Sequence, residues 1–300
     1  MIGQAAFGAD SVDRLIAAGH DVVAVSAPQP EGGQTDPLWA RAEELGIPLL
    51  DTRRLAKKEP GWLAQFRPDL GVMAFVTAIL PARVLETPTH GTIEYHPSLL
   101  PRHRGRSAIN WAVIQGDAMT GLTIFWVDQG VDTGPVLLRK EVPIEPTDSM
   151  GSLYFNKLYP LGLEALVEAV ALVAAGKAPR IAQDETLATY EPPCEDDQAR
   201  IDWHLLGTDV HNLIRGTNPR PGAHTVFRSE PLRIFDVELL AVGVAEEAGV
   251  VTTVDAAGFS VGLRGGSLRV LRVQPEGQKK LPAAEWAAAA GLASGDRLGE

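Results

Sequence analysis

Gly91-Thr92-Ile93-Glu94-Tyr95-His96-Pro97 joins a short apolar run to a histidine that is followed by proline. The run has the length and the residue types of a buried strand. Similar apolar runs precede it at 21–26 and 70–75, and helical periodicity fills the segments 8–19 and 37–45. Strands that alternate with helices predict an α/β fold with a doubly wound, parallel, Rossmann-like sheet.

The loops that follow these strands are expected to carry the chemistry. In a doubly wound sheet, ligands bind beyond the carboxyl ends of the strands, so the loops after Ala74 and Tyr95 lie at the relevant edge. A further strand at 122–127 leads into Asp128-Gln129-Gly130-Val131-Asp132-Thr133-Gly134. Because another apolar run follows at 136–142, this glycine-rich turn is predicted to connect a hairpin.

Three segments are predicted along the chain: an α/β domain over 1–190, a linker over 191–200 and a small domain over 201–300. The polar stretch 183–200, which contains Pro192-Pro193, is typical of a linker. The short β-like runs that follow it are closely spaced. This spacing is typical of a small, OB-like β-barrel.

Composition excludes several classes of protein. The formal net charge is −11, without the basic excess of nucleic-acid binders, so tRNA is disfavoured as a partner. Cys194 is the only cysteine, which excludes an intramolecular disulfide and a Cys-rich metal site. No apolar run is long enough to span a membrane, and Met1-Ile2-Gly3-Gln4 shows no secretory signal, so we expect a cytoplasmic protein. The first strand of such a sheet usually begins several residues earlier, which leaves the native start open.

His96 and Asp132 are the candidate catalytic residues. His96 stands at a strand end before Pro97, which holds the backbone extended, and Asp132 lies among glycines that permit a tight turn. An imidazole beside a carboxylate can move a proton and stabilise a developing oxyanion, while the carboxylate orients the ring. The alternative is a histidine that only caps a loop and an aspartate that only bonds its own backbone. That alternative suits Asp128 better than Asp132.

Two further groups of residues have two interpretations each. The apolar loop 75–81 either packs in the core or forms one wall of a pocket for a flat aromatic ring. Arg102 and Arg104 either meet the carboxylate-bearing tail of a ligand or are solvated, and we favour solvation slightly.

The two motifs resemble the signature of the folate-dependent formyltransferase family. The resemblance rests on His-Pro-Ser-Leu-Leu-Pro with a later Arg-Gly at 96–105, and on Asp-x-Gly-x-Asp-Thr-Gly at 128–134. Residues 95–111 and 176–180 are similar above all to the N-terminal hydrolase domain of 10-formyltetrahydrofolate dehydrogenases. Ile201-Asp202-Trp203 resembles the pattern shared with methionyl-tRNA formyltransferases, so the resemblance covers nearly the whole chain.

The resemblance implies a formyltransferase-family enzyme whose co-substrate is 10-formyltetrahydrofolate and which uses no metal. His96 and Asp132 match the family's catalytic histidine and aspartate. The position of the family's catalytic asparagine, two residues before the histidine, is Glu94 here. The folate contacts expected are Phe75, Ile79, Leu80, Ser98, Val127, Asp128 and Val131.

Glu94 departs from the family pattern. A neutral amide can donate a hydrogen bond to the formyl oxygen as it becomes an oxyanion, whereas an ionised carboxylate only accepts. Glu94 is therefore either protonated in a desolvated site, or a base for water or an amine, or turned away without a role. The dehydrogenases' hydrolase domain also lacks the asparagine and carries an apolar residue there. Loss of the amide is thus compatible with formyl release to water.

Three functions follow from these residues. The favoured one is hydrolysis of 10-formyltetrahydrofolate to formate and tetrahydrofolate. The second is transfer of the formyl group to a small amine; methionyl-tRNA is a weaker candidate, since residues 27–40 hold no Lys or Arg where the tRNA enzymes place a basic loop. The third is a folate-binding protein without turnover, because the catalytic triad is incomplete.

Overall fold

The computed structural model describes residues 1–57, 61–240 and 247–299, which fold as two compact units. The first unit comprises Met1–Ala108, Met119–Pro143 and Phe155–Glu191. The second comprises Ile109–Ala118, Ile144–Tyr154 and Pro192–Glu300. Each unit is therefore assembled from segments that are discontinuous along the chain. The sequence-based boundaries at 190 and 200 stay predictions.

A seven-stranded sheet forms the centre of the first unit. Its strands are β1 (Ile2–Gly3), β2 (Val25–Ala27), β3 (Leu49–Asp51), β4 (Gly71–Ala74), β5 (Thr92–His96), β6 (Met119–Trp126) and β7 (Val136–Pro143). They lie in the order β3-β2-β1-β4-β5-β6-β7. The first five strands pair in parallel, which confirms the predicted Rossmann-like sheet, and β6 and β7 join it antiparallel as a hairpin.

The described residues of the two units also form α-helices. They are α1 (Ala5–Ala17), α2 (Pro37–Glu44), α3 (Thr52–Lys57), α4 (Gly61–Ala64), α5 (Ala82–Leu85), α6 (Ala108–Ile114), α7 (Met150–Leu153), α8 (Tyr159–Ala174), α9 (Gly207–Thr217) and α10 (Ala283–Ala290). Local chemistry sets their starts. Asp36 accepts a hydrogen bond from the Leu38 amide, and Pro37 occupies the first turn of α2. Ser149 forms a capping box at the start of α7, as its residue type predicts.

The core of the first unit decides which side chains of β5 reach the site. Ile93 and Tyr95 are buried in one apolar cluster with Phe7 of α1 and Leu166 of α8. Since side chains alternate along a strand, Glu94 and His96 point to the opposite face of the sheet. The site therefore lies on the face opposite this cluster, at the carboxyl end of β5.

Eight strands lie in the described part of the second unit. They are β8 (Ala223–Phe227), β9 (Glu230–Ile234), β10 (Val237–Leu240), β11 (Val251–Asp255), β12 (Gly258–Leu263), β13 (Gly266–Val270), β14 (Arg272–Pro275) and β15 (Leu281–Pro282). They form two antiparallel sheets, in the orders β10-β13-β12-β11 and β15-β14-β9-β8. Among the residues described, these sheets do not close on each other by strand pairing. The predicted OB-like barrel is therefore not confirmed.

Two kinds of feature are absent from the part of the chain that the structure describes. None of its helices is long and apolar enough to cross a lipid bilayer. None of its His, Cys, Asp and Glu side chains form a group of three or more that could hold a metal ion. Cys194 is half-buried, and burial raises the pKa of its thiol to about 11, so little reactive thiolate forms at neutral pH.

Gly134 makes the closest backbone approach beside the predicted site. A β-carbon there would collide with the carbonyl oxygen of Trp126 and lie 3.3 Å from the Phe125 ring. We expect Gly134→Ala to lower the free energy of unfolding by about 1–3 kcal/mol, the usual cost of overpacking. Chemical denaturation measures this change. Gly61→Ala is the matched control, because open space surrounds Gly61, and equal stabilities of the two variants would contradict the expectation.

Candidate active site

His96 is the last residue of β5 and is nearly buried, with 8% of its side chain exposed. The loop that follows β5 turns back over it. As a result, the carbonyl oxygen of His103 lies 2.8 Å from Nε2 of His96. Because a carbonyl oxygen can only accept, Nε2 must carry a hydrogen, and Nδ1 is left as the nitrogen that can take up and release a proton.

Asp132 faces that free nitrogen. Its Oδ2 lies 3.6 Å from His96 Nδ1 and accepts a hydrogen bond from the Gly105 amide at 2.7 Å. The backbone of Asp132 has φ +57°, a left-handed conformation that is strained for a non-glycine residue. The structure thus brings the two predicted catalytic side chains together. A carboxylate at this position orients the imidazole and stabilises it when Nδ1 gains a proton.

Glu94 lies two residues before His96 on the same face of β5. Its carboxyl is half-buried and forms no hydrogen bond with any residue in the described part of the chain. Burial, and next the negative charge of Asp132, raise its pKa to about 8. A carboxyl with this pKa is largely protonated at neutral pH and can donate a hydrogen bond. The burial of Glu94 and its proximity to Asp132 therefore support a protonated carboxyl, and not an ionised base, at this position.

The raised pKa of Glu94 makes stability depend on pH. The folded protein keeps this proton up to about pH 8, whereas the ordinary pKa is 4.5. Between these values unfolding releases a proton, so the free energy of unfolding falls as pH rises, by at most about 1.4 kcal/mol per unit. We expect Glu94→Gln to be more stable than the wild type at pH 8 and to lose this advantage near pH 4.5.

Denaturation curves across this pH range, with exposed Glu86→Gln as the control, test the dependence. A stability difference between Glu94→Gln and the wild type that is constant with pH would contradict the assignment of the buried proton to Glu94.

Three of the predicted folate contacts are exposed apolar side chains. Phe75, Ile79 and Val131 are 46%, 87% and 54% exposed. Phe75 directly follows β4 and has a left-handed backbone, with φ +58°, which turns the chain sharply at the strand end. Exposed apolar side chains at the carboxyl ends of strands suit an apolar, aromatic ligand.

The other predicted folate contacts already have partners within the protein. Leu80 is buried, and Val127 packs on the same apolar cluster. The Ser98 hydroxyl is buried and donates to a main-chain carbonyl at 2.6 Å. Asp128 is exposed and accepts a hydrogen bond from the Thr133 hydroxyl at 2.6 Å within its own turn. Contact of these four side chains with a ligand stays a prediction.

Arg104 corrects the prediction of a solvated guanidinium. Its side chain is fully buried, and its two terminal nitrogens donate to the two carboxylate oxygens of Glu185 at 2.9 and 2.6 Å. It also donates to Gln183 Oε1 at 2.7 Å and to the Tyr190 hydroxyl. The hydrogen bonds that Arg104 donates to Glu185 raise the pKa of its guanidinium further, so the charge is permanent. From the sequence, a ligand carboxylate or solvent was expected as the partner of Arg104, and hydrogen bonds to side chains of the protein itself were not predicted.

Gln183 is a residue of this site that sequence reasoning missed. Its amide nitrogen donates to the carbonyl oxygens of Asp132 and Gly134, at 2.8 and 2.7 Å. The polar composition of 183–200 is typical of a linker. In the structure, however, the side chains of Gln183, Glu185 and Tyr190 accept hydrogen bonds from Arg104, which lies in the loop after β5. A side chain that contacts residues some fifty positions away leaves no local signal in a single sequence.

Two family models match the chain. "Formyl transferase" matches residues 3–170, and "Formyl transferase, C-terminal domain" matches residues 194–291. The first match includes the predicted site residues from Phe75 to Asp132, whereas Gln183 and Glu185 lie between the two matches.

Individual proteins show the same similarity. The cytosolic 10-formyltetrahydrofolate dehydrogenase of Xenopus laevis is 38% identical over 303 residues, covering 95% of this chain and 33% of that protein. The chain thus spans about a third of the length of the dehydrogenases that it matches. The methionyl-tRNA formyltransferase of Geobacter sulfurreducens is 36% identical, covering 100% of this chain and 96% of that protein.

Among solved structures, an N-formyltransferase from Helicobacter canadensis in complex with folinic acid and dTDP-3-aminofucose superposes with a TM-score of 0.69. The match covers 91% of this chain and 97% of that one, at 16% identity. At this identity the superposition shows a shared fold.

Proposed function

The chain belongs to the formyl transferase family, and on this basis we propose that it takes the formyl group of 10-formyltetrahydrofolate and releases it to water as formate. The names of the dehydrogenase relatives support this donor. The choice of water as the acceptor rests on Glu94, an acid with a pKa near 8. In the enzymes that form amides, the resemblance places an asparagine at this position.

The proposed attack begins at His96. A water molecule adds its oxygen to the formyl carbon and gives a proton to Nδ1, the ring nitrogen that is free to accept one. The formyl oxygen becomes an oxyanion. The protonated carboxyl of Glu94 and the new imidazolium both stabilise that negative charge by donating hydrogen bonds. The Asp132 carboxylate, 3.6 Å from the same nitrogen, stabilises the imidazolium through its negative charge.

The proposed intermediate then collapses. The bond between the formyl carbon and the folate nitrogen breaks, and His96 Nδ1 returns the proton to that nitrogen as it leaves. The products are tetrahydrofolate and formic acid, which ionises to formate and releases one proton to solvent, and His96 is neutral again. Phe75, Ile79 and Val131 supply the exposed apolar surface on which the folate ring would lie.

Transfer to an amine is the second candidate. The chain matches 96% of the length of the methionyl-tRNA formyltransferase relative, and this similarity favours an amine as the formyl acceptor. Segment 27–40 disfavours tRNA as the acceptor, because it contains Glu31 and Asp36 and no basic residue that could bind phosphate. A small amine is the acceptor that the sequence leaves open.

One assay tests the proposal. The protein is incubated with 10-formyltetrahydrofolate alone, and the amounts of tetrahydrofolate and of formate formed are measured over time. Hydrolysis yields the two products in equal amounts. We expect turnover without an added acceptor. Binding of the folate without turnover would overturn hydrolysis, and a panel of small amines then separates transfer from a binding protein.

A further inference from the structure

We propose that Gln183 is a positioning residue that holds Asp132 in line with His96, and that the Arg104 guanidinium orients the Gln183 amide for this role. The inference rests on the proposed function, since it assigns Asp132 to the catalytic pair. Gln183 touches no atom that reacts in that mechanism. Its contacts nevertheless determine where the Asp132 carboxylate can lie.

The first argument is the backbone of the Asp132 turn. Asp132 has φ +57°, a left-handed conformation that aspartate tolerates better than most residues and that contacts to its backbone stabilise further. One amide group supplies such contacts. Gln183 Nε2 donates to the carbonyl oxygen of Asp132 at 2.8 Å and to that of Gly134 at 2.7 Å, so both sides of the turn are tied to a single side chain.

The second argument is the orientation of the Gln183 amide. The group has to present its nitrogen, and not its oxygen, to the two carbonyls. Arg104 enforces that choice, because its guanidinium donates to Gln183 Oε1 at 2.7 Å. The guanidinium is itself held by the forked contact with Glu185. The planar fork of arginine explains why a lysine would not replace it here.

The third argument is that the same short backbone segment contacts both catalytic side chains. The carbonyl of His103 accepts from His96, and the amide of Gly105 donates to Asp132. Thr189 binds this segment from behind: its hydroxyl accepts from the His103 amide at 2.8 Å, and its carbonyl accepts from the Arg104 amide at 3.1 Å. Gln183 and Thr189 therefore support the catalytic pair through the backbone of the Asp132 turn and of segment 103–105.

The test compares Gln183→Met with Asp184→Asn. Methionine keeps the length of the side chain and removes both donors, so we expect kcat for formyl release to fall about 10- to 100-fold, as for other residues that orient a catalytic group. KM for the folate should stay within about twofold. Asp184 is the matched control, because its exposed side chain hydrogen-bonds to Thr186 and to neither Asp132 nor Arg104, and we expect wild-type kinetics.

A double variant distinguishes positioning from a general structural effect. In an Asp132→Asn background, Gln183→Met should cause little further loss, because its effect passes through Asp132. Losses that multiply would overturn the proposal. The Gly105 amide provides a readout that needs no activity: we expect its hydrogen exchange to speed up about tenfold in Gln183→Met, when Asp132 moves away.

The two proposals fail in different ways. A wild-type protein that releases no formate overturns hydrolysis, while exchange at Gly105 still decides whether Gln183 holds Asp132. Unchanged exchange at Gly105 in Gln183→Met overturns the positioning proposal whatever the reaction is.

Discussion

Replacement of His96 by glutamine is expected to slow formyl release by about 10²- to 10⁴-fold, the contribution usual for a general acid–base group. Glutamine can still donate to the carbonyl of His103, but it has no group that takes a proton from water at neutral pH. The loss should therefore fall on kcat, with little change in the affinity for the folate. Initial rates of tetrahydrofolate formation measure it.

His90→Gln is the matched control for this variant. His90 is exposed and precedes the opposite end of β5, so the same substitution there should leave the rate unchanged. Folate affinity is measured separately by titration. A His96→Gln variant that retains more than about a tenth of the wild-type rate would show that another group moves the proton, since losses of 10² or more are typical.

Glu94 should determine how the rate depends on pH. With a pKa of about 8, the wild-type carboxyl loses its proton above that pH, and the rate should then fall about tenfold per unit because the charged group repels the oxyanion. Glu94→Gln donates from an amide that does not ionise, so we expect its rate to hold through this range. Initial rates measured between about pH 6 and pH 10 compare the two profiles.

Two further variants sharpen the test of Glu94. Glu94→Ala removes the donor at every pH and should lower the rate at neutral pH by about 10²- to 10³-fold, the cost of one oxyanion donor. Exposed Glu86→Gln should reproduce the wild-type profile. A wild-type profile without a fall above pH 8 would leave Glu94 no part in the reaction. We also expect Glu94→Asn to gain formyl transfer to amines, if the missing amide is what limits transfer.

The sequence predicted those parts of the fold that depend on local patterns. Apolar runs of strand length placed β4 and β5, and helical periodicity over 37–45 placed α2. The pairing of His96 with Asp132 was predicted from the two motifs. The strand-end rule alone does not give it, because β6 runs antiparallel to β5 and the turn after β6 starts beside Thr92, at the other end of β5 from His96.

Contacts between distant segments were beyond prediction. Gln183 and Glu185 lie in a polar stretch without apolar periodicity, and only the folded chain brings them to Arg104. The protonation of Glu94 depends on burial, which a single sequence does not encode. Short strands at close spacing predicted a barrel, yet nothing in their sequence specifies whether two sheets close by pairing their edges.

The hydrogen bond between His96 Nε2 and the His103 carbonyl has a consequence for timing. In relays that use both ring nitrogens, a proton can enter on one side while another leaves on the other. In this imidazole only Nδ1 exchanges a proton. It must therefore take a proton from water before it can give one to the departing nitrogen. Under the proposed hydrolysis, attack and bond breaking are therefore strictly consecutive, and the tetrahedral species must persist for as long as Nδ1 carries its proton.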